Sequence, residues 1–237
     1  MTFSVVVPVF NEERRIARTF AAMEKFLATS GVEKIEIIFV DDGSGDKTVS
    51  LIQKFNPGCE IKVISYAPNR GKGFAVRQGM LAAGGDYALV FDADMSTSMD
   101  EFPKFLRLIS NGASVIIGTR KAGGAQIKKY QPWYRRKMGE TYTALANFIL
   151  GMEISDFTCG FKCFSRQARE RIFKAAWVDR WSYDAEILFL AKRYGFRVIE
   201  IPVSWENDED TKVRLGKDTF ESFKDLIRIR FREYPDQ

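Results

Sequence analysis

Short apolar runs rich in β-branched residues alternate along the first half of the chain with longer segments whose apolar positions return every third or fourth residue. The short runs read as buried strands and the longer segments as helices. Strands are predicted at Phe3–Val9, Ile35–Asp41, Ile61–Ser65, Tyr87–Asp92 and Ser114–Gly118. Helices are predicted at Glu12–Thr29, Lys47–Phe55, Gly73–Ala83 and Met99–Ser110. This alternation is that of βαβ units, an α/β fold with a mainly parallel central sheet flanked by helices. The second half is less regular. Gly123–Lys137 is basic, aromatic and interrupted by Pro132, and reads as a loop. Met138–Leu150 reads as a helix, Phe161–Phe164 and Val198–Trp205 as strands, with a helix between them near Asp184–Tyr194. The last helix carries Phe220, Phe223, Ile227 and Phe231 on one stripe, and such stripes more often pack on a core than face a partner. No repeat or linker divides the chain, so one domain over residues 1–237 is expected.

In open α/β sheets, ligands bind outside the carboxyl ends of the strands. The chemically capable residues fall there: Asn11-Glu12, Asp41-Asp42, Asp92 and Asp94, and Arg120. Asp92-Ala93-Asp94 places two carboxylates one residue apart, a hard anionic site that suits Mg²⁺ or Mn²⁺ carrying a diphosphate. The plainer alternative is a pair of loop-capping aspartates. Neither a G-x-x-x-x-G-K-[ST] loop nor a G-x-G-x-x-G after the first strand is present, which excludes a P-loop and a dinucleotide fingerprint. Asn69-Arg70-Gly71-Lys72-Gly73 follows the third strand instead. Its glycines would allow close backbone approach to a ligand, and Arg70 and Lys72 would face phosphate or base edges. Read alone, it is better taken as a turn into a helix with solvated basic residues.

Composition narrows the chemistry. Among 237 residues there is no histidine, which excludes Ser-His-Asp and Cys-His mechanisms and His-ligated zinc. Cys59, Cys159 and Cys163 are too few for a disulfide framework and read as buried thiols of a cytoplasmic protein. No apolar stretch approaches the roughly 20 residues that span a bilayer, and the N-terminus lacks the pattern of a signal peptide. The net charge of +5 points to an anionic partner. From Phe102 to Gly139 no acidic residue occurs, while Lys104, Arg107, Arg120, Lys121, Lys128, Lys129, Arg135, Arg136 and Lys137 fall within that stretch, which read alone is equally a solvated basic loop.

Four motifs in order, Pro8–Glu12, Val40–Ser44, Asn69–Gly73 and Asp92–Asp94, resemble the P-x-x-N-E, V-D-D-x-S, N-x-G-x-G and D-A-D pattern of the inverting family 2 nucleotide-sugar glycosyltransferases, which have the GT-A fold. Within that family, Asn69–Arg77, Asp92–Thr97, Gly118–Arg120, Asp156–Lys162, Tyr183–Leu188 and Ile201–Trp205 are similar to the dolichyl-phosphate β-glucosyltransferase branch. The resemblance covers nearly the whole chain. It implies that residues 1–120 bind a nucleotide sugar, UDP-glucose first and GDP-mannose second, and that residues 121–237 bind a polyprenyl or dolichyl phosphate. It further implies that Pro8, Phe10 and Glu12 line the base and ribose pocket, that Asp42 or Asp41 reads the base edge, and that Arg70 and Lys72 approach base or diphosphate. Asp92 and Asp94 would hold a divalent metal, Asp94 as the main ligand. Arg120 and Arg135 would clamp the acceptor phosphate, with Arg136 or Lys137 as helpers. Mannose-transferring relatives often carry Gln where this chain has Ser96, a poorer ligand, which leaves the third protein ligand open.

A phosphate acceptor fits the missing histidine, because a monoester with a second pKa of about 6 is already a nucleophilic dianion at neutral pH. Peripheral attachment to the cytoplasmic face of a membrane is expected, through Pro132–Lys137 or the last helix. Asp184 and Glu186 would contact sugar hydroxyls, orient the arginines or simply start a helix. With a soluble glycan acceptor, one of them would have to act as base. The acidic strand ends argue against a nucleic-acid partner, and the intact D-A-D argues against a non-catalytic sugar-nucleotide binder.

Overall fold

A computed structural model describes residues 1–208 and 217–235. In chain order the elements are β1 (Thr2–Val9), α1 (Ile16–Thr29), β2 (Lys34–Asp41), α2 (Thr48–Ile52), β3 (Glu60–Ser65), α3 (Lys72–Ala82), β4 (Tyr87–Val90), α4 (Phe102–Ser110), β5 (Val115–Thr119), β6 (Gln126–Lys129), α5 (Trp133–Leu150), β7 (Lys162–Ser165), α6 (Arg166–Ala175), α7 (Tyr183–Arg193), β8 (Val198–Pro202), β9 (Ser204–Glu206) and α8 (Lys217–Phe231). Seven strands form one sheet in the order β3-β2-β1-β4-β7-β5-β8. All are parallel except β7, which runs antiparallel between β4 and β5. A separate pair, β6 and β9, stands beside the sheet.

The period-2 geometry of strands explains why β1 and β2 are apolar at nearly every position: both faces are covered by helices. Val5, Val7 and Val9 pack with Phe26, Ile52, Phe102 and Phe105 on one face. Val6 packs with Val40, Val76 and Met80 on the other. β1 and β2 end level, Val9 opposite Asp41, so the loops that follow them share one edge of the sheet.

The strands expected in the first half are found, and the main differences lie in the elements around them. α1 starts at Ile16 rather than at Glu12, because Asn11 takes a left-handed φ of 52° and residues 12–15 turn before the helix begins. The stretch expected as a loop, Gly123–Lys137, contains β6 and the first turn of α5, which starts directly after Pro132. The run expected as one strand over Val198–Trp205 is split into β8 and β9, which join different sheets. Helix α6 is not among the elements that the sequence pattern predicts. Its polar sequence buries only a narrow stripe including Ala168, Ile172 and Phe173.

Three of the four stripe residues on α8 face outward, contrary to the expectation that the stripe packs on the core; Phe223 is half-buried. Leu226 and Ile229 are the fully buried positions, whereas Phe220, Ile227 and Phe231 are 63%, 52% and 80% exposed. No described helix is long and apolar enough to cross a membrane.

Candidate active site

Strand β4 delivers Asp92-Ala93-Asp94 to the carboxyl edge of the sheet. A tight turn fixes the triplet: Met95 has a φ of 56°, and its N–H donates to the Asp92 carbonyl at 3.0 Å. Thr19 of α1 donates to the Ala93 carbonyl at 2.9 Å. The Ser96 N–H donates to Asp94 Oδ1 at 2.9 Å. The following residues are tied to the β6–β9 pair, where the Glu206 N–H donates to the Ser96 carbonyl at 2.8 Å. The backbone of Gly160 lies against Asp92 so closely that a Cβ there would sit 1.9 Å from Asp92 Oδ2. Only glycine leaves that carboxylate its place.

The charge around the triplet is unbalanced. Lys72 Nζ pairs with Asp92 Oδ1 at 2.7 Å, while no described cation pairs with Asp94. Burial and the neighbouring Asp92 charge push the Asp94 carboxyl above the usual carboxylate range, against the opposing pull of Lys72. Two hard oxygen donors with surplus negative charge fit a divalent cation. Among the described residues no group of three or more His, Cys, Asp or Glu is placed to cage a metal.

A cavity of about 620 Å³ opens from the triplet. Lys72, Asp92, Asp94, Arg120, Arg135 and Asp184 line its polar part; Ile127, Met138, Tyr142, Trp181 and Trp205 line its apolar part. Arg120, just beyond β5, is held tightly. Its Nε and Nη2 donate to Asp156 at 2.7 and 2.8 Å, and Nη2 donates also to Thr158 Oγ1 at 2.6 Å. Arg135, in the first turn of α5, has a buried Nε with no hydrogen-bond partner. The two expected helpers, Arg136 and Lys137, pair with Glu140 at 3.7 and 2.9 Å.

Of the two candidate carboxylates on α7, only Asp184 faces the cavity. Lys162, buried within β7, donates to Asp184 Oδ1 at 2.5 Å. Burial nonetheless pushes the Asp184 carboxyl up. Glu186 points elsewhere: it accepts from the backbone N–H groups of Trp177 and Val178 and from the Tyr234 hydroxyl. It holds the loop before α7 and the C-terminal segment together.

The residues expected around the base and ribose sit at the ends of β1 and β2, on the flank of the cavity rather than in its lining. Pro8 and Phe10 are half-buried. Glu12 is paired through its carboxylate with Arg15, which also reaches Asp208 at 3.2 Å. Asp41 accepts from the Ser44 N–H at 3.1 Å and from Ser65 Oγ at 2.8 Å. Asp42 accepts from Asn69 Nδ2 and from the N–H groups of Arg70 and Gly71 at 2.7, 2.7 and 2.9 Å, so its carboxylate shapes the 69–71 turn. The Arg70 guanidinium lies 3.5 Å over the Phe74 ring and 3.5 Å from Asp179. The glycines of this turn serve a neighbour within the chain. A Cβ on Gly71 would meet the Asp179 carbonyl at 2.5 Å, and one on Gly73 the Val178 carbonyl at 2.4 Å. Lys72, between them, is the member of the turn that enters the cavity.

The sequence alone gives Asp156, Thr158, Gly160, Lys162 and Trp181 no separate part in the site. A lysine inside the apolar strand Phe161–Phe164 was the available signal, since lysine is almost never fully buried unless paired.

The sheet order, the level strand ends and the metal-suited carboxylate pair define an α/β enzyme whose site lies at the carboxyl edge of its sheet. A model of glycosyl transferase family 2 matches residues 4–173, and the chain belongs to that family. It is 30% identical over 97% of its length, and 74% of the relative's, to the dolichyl-phosphate beta-glucosyltransferase of Dictyostelium discoideum. It is 31% identical to the Homo sapiens protein of that name, over 97% of this chain and 75% of the relative. Among solved structures it matches glucosyl-3-phosphoglycerate synthase from Mycobacterium tuberculosis, crystallised with Mn²⁺, UDP-glucose and glycerol 3-phosphate. That match has a TM-score of 0.71 at 19% identity, covering 96% of this chain and 79% of the other. The fold is thus the GT-A fold expected from the motifs, and the protein is a glycosyltransferase.

Proposed function

We propose that this chain transfers glucose from UDP-glucose to a polyprenyl phosphate of the dolichyl type, inverting the anomeric centre. One observation carries the reading: Asp92 and Asp94, suited to a metal-bound donor diphosphate, and Arg120 and Arg135, suited to a second phosphate, line the same cavity. The names of the relatives support glucose and dolichyl phosphate, and the Mn²⁺ and UDP-glucose of the structural neighbour support the donor and a divalent ion. GDP-mannose is the second choice of donor.

The residues divide the work by charge. Asp92 and Asp94 hold the divalent ion, which when bound offsets charge on the leaving diphosphate as a Lewis acid. Lys72, paired with Asp92 in the absence of substrate, supplies further positive charge beside it. Pro8, Phe10, Glu12, Asp41, Asp42 and Arg70 form the nucleoside flank. The acceptor phosphate needs no general base, because it is largely dianionic at neutral pH. Arg135, which lines the cavity, donates to it from its guanidinium, and Arg120 donates from the edge left free by Asp156. These contacts hold two anions close and align the attacking oxygen with the anomeric carbon. Asp184, fixed by Lys162, contacts sugar hydroxyls. The apolar part of the cavity takes the start of the hydrocarbon chain. The protein docks peripherally on the membrane that holds the acceptor, through the exposed Trp133 and Tyr134 and the outward stripe of α8.

The test is incubation of the purified protein with polyprenyl phosphate and each labelled nucleotide sugar, with and without EDTA. Label should pass to lipid from UDP-glucose, and EDTA should stop it. No lipid-linked product from any donor would contradict the proposal.

A further inference from the structure

Arg120 has five N–H donors in a planar fork, and the surrounding residues dictate which of them a ligand can use. Asp156 accepts from Nε at 2.7 Å, from Nη2 at 2.8 Å and from the Arg120 backbone N–H at 3.1 Å. Thr158 Oγ1 takes a second bond from Nη2 at 2.6 Å. The Trp205 ring, with its centroid 5.1 Å from Cζ, packs along the guanidinium. Nη1 is the one nitrogen of the fork not drawn into these bonds, and Arg120 lines the cavity. The Asp156 side chain is 1% exposed and takes no part in the lining. Its Oδ1 also accepts from the Thr158 N–H at 3.1 Å.

We infer that Asp156 is a positioning residue for the acceptor phosphate: it acts through Arg120, fixing the guanidinium so that Nη1 is presented to the cavity. It is not a base in waiting. Both of its oxygens are occupied by donors, and the Arg120 charge holds its carboxyl down at about 2 despite burial. A bidentate pair orients as well as attracts, and a guanidinium freed of its partner would sample many rotamers before meeting a phosphate. Lysine at position 120 would keep the charge but lose the fork. This inference rests on the proposal that the cavity receives a phosphate monoester.

The experiment is a double-mutant cycle read by binding as well as turnover. Affinity for farnesyl monophosphate is measured by calorimetry, without donor, on wild type, Asp156→Asn, Arg120→Ala and the double variant. UDP affinity with Mn²⁺ and thermal melting are recorded on each. The expected result is that Asp156→Asn weakens farnesyl monophosphate on the order of tenfold or more, leaves UDP affinity in place, and adds nothing in the Arg120→Ala background, as coupled neighbours should. Thr158→Val, which keeps the carboxylate, should show a smaller loss of the same kind and decides the matter if Asp156→Asn fails to fold. Undiminished affinity in Asp156→Asn, or an equal loss with and without Arg120, would overturn the inference. A wild type that does not bind farnesyl monophosphate would overturn it together with the phosphate site. Binding that follows the predicted cycle while no glucose reaches lipid would refute the proposed reaction and still uphold Asp156 as the residue that positions Arg120.

Discussion

At the scale of single residues, the catalytic edge is defined by what is pressed against the carboxylates as much as by the carboxylates themselves. Gly160 holds no functional group, yet its missing Cβ is the space that Asp92 occupies. Gly160→Ala must displace that carboxylate by an ångström or more, and such misplacement typically costs about a hundredfold in rate. The expected outcome is a folded protein, by circular dichroism, whose transfer rate falls by roughly that factor. Arg135→Ala should act on the other substrate. A hydrogen bond to a charged group contributes about 1.5–3 kcal/mol, so acceptor KM should rise roughly tenfold to a hundredfold while donor KM stays within about twofold. Asp156 gives a pH signature. Its folded carboxyl is depressed to about 2, so the stability it confers is fully present above about pH 4 and is lost as pH falls toward 2. A shift of that size corresponds to about 2 kcal/mol. The stability difference between wild type and Asp156→Asn, from urea melts, should therefore shrink steadily between about pH 4 and pH 2. A difference that is constant across that range would contradict the pairing with Arg120.

At the scale of elements, the motifs with fixed spacing were legible and the orientation of amphipathic pieces was not. Strands β1, β2 and β4 declare themselves because burial on both faces forces continuous apolar runs. Helix α6 stayed hidden because its buried stripe is narrow and its remaining positions are polar. Strand β6 stayed hidden because it is extended by pairing with β9, whose Ser204 lies opposite Gln126 far along the chain, a two-strand pairing that local pattern cannot reveal. For α8 the heptad-like aromatics were visible, but the choice of buried face was made by Leu226 and Ile229. Helix α5 packs beside α8 and begins at the exposed Trp133 and Tyr134. An outward aromatic stripe flanked by Arg228, Arg230 and Arg232 is suited to an anionic bilayer surface. Replacing Phe220 and Phe231 by serine should therefore reduce cosedimentation with anionic liposomes at low salt by severalfold, with turnover of a short, water-soluble prenyl phosphate retained. Unchanged cosedimentation would remove α8 from the membrane contact.

At the scale of the whole molecule, the sheet sorts charge. The end of β4 presents Asp92 and Asp94 to the cavity, with the acidic ends of β1 and β2 on its flank, and the loop after β5 and the start of α5 present arginines to the same cavity. The sequence made the first group readable as strand ends and the second as a stretch without acids. It could not show that Asp156, Thr158 and Gly160 come from one loop that touches both groups, since that convergence depends on β7 inserting antiparallel between β4 and β5. It also could not separate Asp184 from Glu186, two residues apart on α7, one facing the cavity and one tying down Trp177 and Val178. The measurement that bears most directly on this account is the structure of the product formed from α-linked UDP-glucose and a polyprenyl phosphate by the purified protein with Mn²⁺. Nuclear magnetic resonance of the isolated lipid should show glucose joined through phosphate in the β configuration, the result of a single in-line displacement. An α-linked product, glucose released to water, or lipid left unmodified would contradict it.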